Sequence, residues 1–155
     1  MINGFYAITL ELLFIKPYNK LKSKSLRWSL SGIFILGVIG TFLELLLLDH
    51  TEDFWQMIPL ILLGSGLIIF LIASLTEVPL KWELFKIVMI FFIFSGFYGF
   101  WMHYQTNVEF EKEMYPGLVG LALFTKSMKG ATPSLAPGAL IMLALIGWIR
   151  SLNYS

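Results

Sequence analysis

Apolar residues run almost unbroken through residues 28–48, 54–75 and 84–104, and again over a shorter distance through 134–150. A helix of about 20 residues, rising 1.5 Å per residue, crosses the ~30 Å hydrocarbon layer of a bilayer. The pattern therefore predicts four transmembrane helices. Their ends carry interfacial residues: Trp28 and Trp55 at two entrances, Asp49 and His50 after the first run, Trp148 and Arg150 closing the fourth. Pro59 falls in the first turns of the second run, where proline does least harm. Gly64, Ser65 and Gly66 give the middle of that helix a small-residue surface suited to close helix contact. Lys86, near the start of the Phe-rich third run, is placed to extend its ammonium toward the headgroups.

The fourth run is undersized. With Ser134 as N-cap, Pro137 takes the third helical position, where its missing N–H is no loss. Ending near Arg150, this helix spans roughly 25 Å, so it starts below the headgroups. The preceding stretch, 105–133, is expected to form an outer loop or cap. Its polar part, EFEKEM, reads as a solvated turn, and its apolar part, Leu118 to Phe124, as an interfacial or re-entrant helix over the short span.

Before the first span, residues 1–15 are apolar but too short to cross the bilayer, and Asn3, Ala7 and Glu11 repeat every four residues to give a narrow polar stripe. This is the pattern of an interfacial helix. An extra short span is the alternative. A secretory signal has its basic residues before the apolar core; here they follow it. Lys16, Lys20, Lys22, Lys24 and Arg27 make a basic segment with no acid, which marks the cytoplasmic side and suits anionic lipid. The turn DHTED at 49–53 has no Lys or Arg and belongs outside. Both termini are then cytoplasmic, in what is expected to be a bacterial inner membrane. The fold class is all-α: one polytopic membrane domain over 1–155, a four-helix bundle with an N-terminal interfacial helix and a partly helical outer loop.

Composition agrees. Of 155 residues, 57% are hydrophobic and only 14% charged, against about 25% charged in a soluble domain. The formal net charge of +1 offers no field for nucleic acid. The absence of cysteine excludes disulfides, thiolate catalysis and zinc–thiolate sites.

Candidate chemistry gathers at the outer end. Gly37-x-x-Gly40-x-x-x-Glu44 in the first span is echoed by Gly96-x-x-Gly99-x-x-x-His103 in the third, each residue displaced by 59 positions (37 to 96, 40 to 99, 44 to 103). Residues four and seven apart share a helix face, so Glu44 and His103 stand above glycine faces that pack on other helices and point into the bundle. A Glu44–His103 pair could hold a proton or a ligand; the alternative is that Glu44 is simply hydrated at the interface. An ionisable group at this depth faces protein or a wet cavity. His50, Asp53, His103, Glu109 and Glu113 all fall on the outer face and form a donor set compatible with a divalent metal. Their spacing matches no standard metal motif, so no cofactor is predicted outright. The N–H groups near Thr132 and Ser134, at the start of the fourth helix, could hold an anion or a lipid headgroup.

Neither a Walker loop nor a Gly-x-Ser-x-Gly nucleophile occurs. Three functional classes remain: a non-enzymatic accessory subunit or scaffold, partnered with the bilayer, a second copy or another membrane protein; a small oligomeric transporter or channel using Glu44 and His103; and a metal-dependent membrane enzyme.

Overall fold

The computed structural model describes residues 24–76 and 78–152. They form α1 (Lys24–Leu47), α2 (Phe54–Thr76), α3 (Pro79–Met114), α4 (Gly120–Met128) and α5 (Gly138–Ser151), with no strand among the described residues. Three helices, α1, α2 and α3, are long and apolar enough to cross a membrane. α5 is equally apolar but has 14 residues, about 21 Å. The interfacial helix expected over 1–15, and most of the basic segment at 16–27, lie outside the described residues; Lys24 and Arg27 form part of the first turn of α1.

α5 packs on α3 and α1, and α2 packs on α3 and α1. Two kinds of residue permit this. The first is a cluster of large aromatics: Phe34 of α1, Phe70 of α2, and Trp82 and Phe85 of α3, all buried, with ring centroids 4.9–5.9 Å apart and mostly edge-to-face or tilted. That geometry sets the positive edge of one ring on the negative face of the next. The second is glycine. A methyl group on Gly147 of α5 would come within 2.6 Å of Met89 Sδ and 2.9 Å of the Phe85 ring. The grooves predicted on α1 and α3 receive α5 from its two sides. A methyl on Gly37 would meet Leu143 at 2.5 Å, and one on Gly96 would meet Ile141 at 2.6 Å and the Pro137 carbonyl at 3.0 Å. Gly99 abuts the Pro137 ring, whereas Gly40 faces open space.

At the Arg150 end, Arg150 Nε donates to Ser31 Oγ at 2.9 Å, and its guanidinium lies 4.8 Å from the Trp82 ring centroid. Ser31 in turn donates to the Arg27 carbonyl. α1, α3 and α5 are thereby tied at one end by a guanidinium that both hydrogen-bonds and stacks. Lys86 reaches Glu83 at 2.8 Å.

Several boundaries differ from expectation; the third span, for one, begins at Pro79 rather than Leu84. α1 is helical from Lys24, the first described residue and four before Trp28, because nothing in KSLR breaks a helix. α3 does not end at Tyr104: it runs on through EFEKEM to Met114, for 36 residues. Residues 105–114 include no Pro or Gly, so the charged residues simply line a helix that has left the apolar region. The break comes at Pro116-Gly117, where Leu118 N–H closes a turn on the Tyr115 carbonyl. α5 begins at Gly138 rather than Ser134. Pro137, lacking an N–H and crowding the carbonyl four residues back, leaves 133–140 wound as successive three-residue turns, including Ala136 to Pro133, Gly138 to Leu135 and Leu140 to Pro137.

Candidate functional site

At the His103 end a cleft of about 740 Å³ opens between α1, α2, α3 and the 132–140 segment. Local chain chemistry places its polar rim. α1 ends in a Schellman motif: His50 N–H bonds to the Leu45 carbonyl and Asp49 N–H to that of Leu46, with Asp49 left-handed at φ 51°. Asp tolerates that conformation better than most residues other than glycine. The turn brings His50 to the cleft, its ring centroid 6.4 Å from that of His103. α2 then opens with Asp53 as N-cap, its Oδ1 accepting from Gln56 N–H at 2.9 Å, while Gln56 Oε1 accepts from Glu52 N–H. Asp53 thus has a structural task of its own.

Glu44, His50, Asp53 and His103 all line this one cleft, as do Trp55, Tyr98 and Thr132. Its deeper wall is Leu62, Phe91, Phe94 and Ser95. Glu44 is solvent-accessible and, among the described residues, forms no ion pair with His103 or any other group. His103 Nδ1 lies 3.0 Å from the Pro133 carbonyl. A carbonyl can only accept, so Nδ1 carries the proton and Nε2 is the basic nitrogen of the neutral ring. The expected metal set does not converge. Glu109 and Glu113 are exposed on the extension of α3 and do not line the cleft. Among the described residues no three of His, Asp and Glu are grouped to hold a metal ion.

Burial, first, and the charge of the neighbouring His103, second, hold the His50 pKa below its usual 6.5, with Asp53 acting in the opposite sense. The folded protein therefore binds this proton more weakly than the unfolded chain. The contribution to stability is complete above pH about 6.5, is lost as pH falls through that value toward the folded pKa, and is level below it. Thermal unfolding followed from pH about 7.5 to 5 should show a falling midpoint whose slope is reduced in His50→Gln. Equal slopes in the two proteins would remove His50 as the cause.

The 130–134 segment that roofs the cleft is fastened by a residue that hydrophobic patterning overlooks. Asn107 is 2% exposed. Its Nδ2 donates to the Thr132 carbonyl at 2.7 Å and to Ser134 Oγ at 3.2 Å, and its Oδ1 accepts from Thr132 N–H at 3.0 Å. Gly130 lies against the Asn107 side chain so closely that any Cβ there would collide with it. The Thr132 N–H, one of the groups that could hold an anion, is engaged by this amide instead, and Ser134, whose Oγ accepts from the same amide, is buried four residues before α5 begins. One turn beyond Asn107, Glu111 is also buried and pairs with Lys126 of α4 at 2.9 Å, while the ammonium sits 3.1 Å from the Tyr115 ring centroid. Desolvation pulls the Lys126 pKa down, but the hydrogen bond and charge of Glu111, with Tyr115, outweigh it and hold it above its usual value. Asn107 and Glu111 are four apart, hence on one face. That spacing was legible once α3 was known to continue past Tyr104.

Comparison with family models, with curated proteins and with solved structures finds no match to this chain, so the chemistry of the cleft rests on its own geometry.

Proposed function

We propose that this is a four-span protein of the bacterial cytoplasmic membrane with both termini cytoplasmic, acting without catalysis as an accessory subunit or scaffold that holds an amphipathic small molecule beneath its outer cap. α5 is the short fourth span, and the His103 end faces outward, as the basic segment ahead of α1 requires. α4 lies at headgroup level, exposing Val119, Leu121 and Phe124 to the interface. The observation that carries the functional reading is the cleft. Its volume of about 740 Å³ falls within the ~300–1,000 Å³ of small-molecule sites, and its apolar wall with a few polar groups at one end is their usual composition.

A transport path is the weaker reading. The half of the molecule toward Arg150 is filled by Phe34, Phe70, Trp82, Phe85 and Phe92, none of which lines the cleft. A single chain therefore provides a blind cleft. The metal-enzyme reading lacks a grouped donor set among the described residues.

Ser95 lines the cleft from the middle of α3, and tryptophan in its place would fill the deep part. Protein purified in mild detergent should release an amphiphile on solvent extraction, measured by mass spectrometry against protein, and Ser95→Trp should reduce that amount about tenfold, the equivalent of some 1.4 kcal/mol of lost affinity. Identical extracts from a folded Ser95→Trp protein and the parent would sink the reading.

A further inference from the structure

We infer that the ligand of this cleft is an amphiphile whose polar end is an ammonium group, with Glu44 as its counter-ion and Trp55 and Tyr98 as its aromatic walls. The inference rests on the reading of the cleft as a small-molecule site.

Charge comes first. Two carboxylates, Glu44 and Asp53, line the cleft, and among the described residues no Lys or Arg does. Asp53 already spends an oxygen on the N-cap of α2. Glu44 has no ion-pair partner among the described residues, although it stands on a helix apolar enough to cross a membrane. An ionisable group at that level is costly unless a counter-charge or water reaches it. Among the described residues the cleft wall offers no Lys or Arg for this, only the imidazoles of His50 and His103, whereas a ligand ammonium would be a permanent counter-charge. An anionic ligand would instead face two carboxylates with no Lys or Arg among the described lining residues to offset them.

The aromatic rings make the same selection independently. Trp55 and Tyr98 lie with centroids 5.5 Å apart and both line the cleft. Phe94, one turn from Tyr98, lines it too. The faces of such rings attract cations, most strongly when the cation is an ammonium with weakly hydrated substituents and the site is partly desolvated. Dimensions fit as well. The lining positions of α3 extend from Phe91 to Thr106, roughly 22 Å along the axis, so an ammonium at the Glu44 level leaves room for an alkyl chain running toward Phe91.

Such an ammonium could belong to a choline or ethanolamine headgroup of a membrane lipid or to a free amphiphilic amine. The test uses the full chain in nanodiscs, with empty nanodiscs of the same lipid subtracted, and radiolabelled dodecyltrimethylammonium, neutral dodecyl maltoside and anionic dodecyl phosphate as probes. The cation should bind in preference to both others. Glu44→Gln, at an accessible position whose side chain has no hydrogen-bond partner among the described residues, should weaken cation binding about tenfold and leave neutral binding unchanged. Trp55→Leu should act in the same direction. Weaker cation binding in phosphatidylcholine discs than in phosphatidylglycerol discs would assign the natural source to a lipid headgroup; equal binding would assign it to a free amine. Either result supports the ammonium site. If cation and neutral probe bind alike, unaffected by Glu44→Gln but blocked by Ser95→Trp, the cleft is a ligand site and the ammonium inference is overturned. If Ser95→Trp blocks neither probe, the cleft reading falls with it.

Discussion

Asn107→Ala is expected to lower the unfolding free energy by roughly 2–4 kcal/mol and to free the cap from α3. The wild-type amide makes three hydrogen bonds, two of them to the backbone N–H and carbonyl of a single residue, Thr132. Its removal leaves those groups under the cap without partners, and a buried unmade hydrogen bond costs more than an exposed one gains. The loss should be local before it is global. Protease sites around Lys126 and Lys129 should become cleavable in folded protein, and amide exchange at 130–134 should accelerate while the α1–α5 core stays protected. Asn107→Asp separates hydrogen bonding from size. It keeps the acceptor for Thr132 N–H but sets a carboxylate oxygen where Nδ2 met the Thr132 carbonyl, so it too should destabilise. An Asn107→Ala protein with an unchanged midpoint and unchanged proteolysis would show that the cap is held by packing alone.

Gly147→Leu should have a comparable or larger effect, on the opposite half of the molecule. Even the first carbon of the new side chain would enter space held by Met89, Phe85 and Phe34, all three with no exposed surface. Met89 can rotate away, but the two rings are locked in the aromatic cluster. Overpacking of this kind costs about 3 kcal/mol, far above the ~1 kcal/mol that replacing a helical glycine returns. Gly40→Leu is the matched control, because no atom lies within 4 Å of a Cβ there; its thermal midpoint should stay near the parent's. If both substitutions leave the midpoint alone, α5 does not depend on close approach at Gly147.

The helical class and the three long apolar helices followed from hydrophobic run length alone, because hydrocarbon thickness sets a minimum that few other structures need. The run-length rule says nothing about where a helix stops once it has left the apolar region. That is why α3 outran its expected end at Tyr104. Polar composition at EFEKEM was read as a turn, yet a turn needs a breaker, and the first one is Pro116. The same misreading concealed Asn107 and Glu111, whose pairing with Thr132 and Lys126 requires residues 25 and 15 apart to fold back together, as only tertiary structure can reveal. The fourth run was legible as short, but its start was misplaced by four residues, since a proline at the third position of a helix and a proline ending a series of tight turns look alike in sequence. Glu44 and His103 could be placed at one end from helical register. That they face one site was itself an expectation; that His50 joins them, brought in by the left-handed Asp49, could not be read.

The length of α3 has a mechanical consequence. Its 36 unbroken residues make a rod of about 54 Å, so roughly half of it projects beyond a ~30 Å hydrocarbon layer. The cap grips the projecting end through Asn107 and Glu111, while Trp82, near the other end, stacks under Arg150. Its one proline, Pro79, opens the helix, and its two glycines, Gly96 and Gly99, are packed against Ile141 and Pro137 of the neighbouring segment, so the rod tilts as a whole. A tilt of only about 10° at one end sweeps the other through roughly 9 Å, so a load on the cap is felt at the Trp82 end.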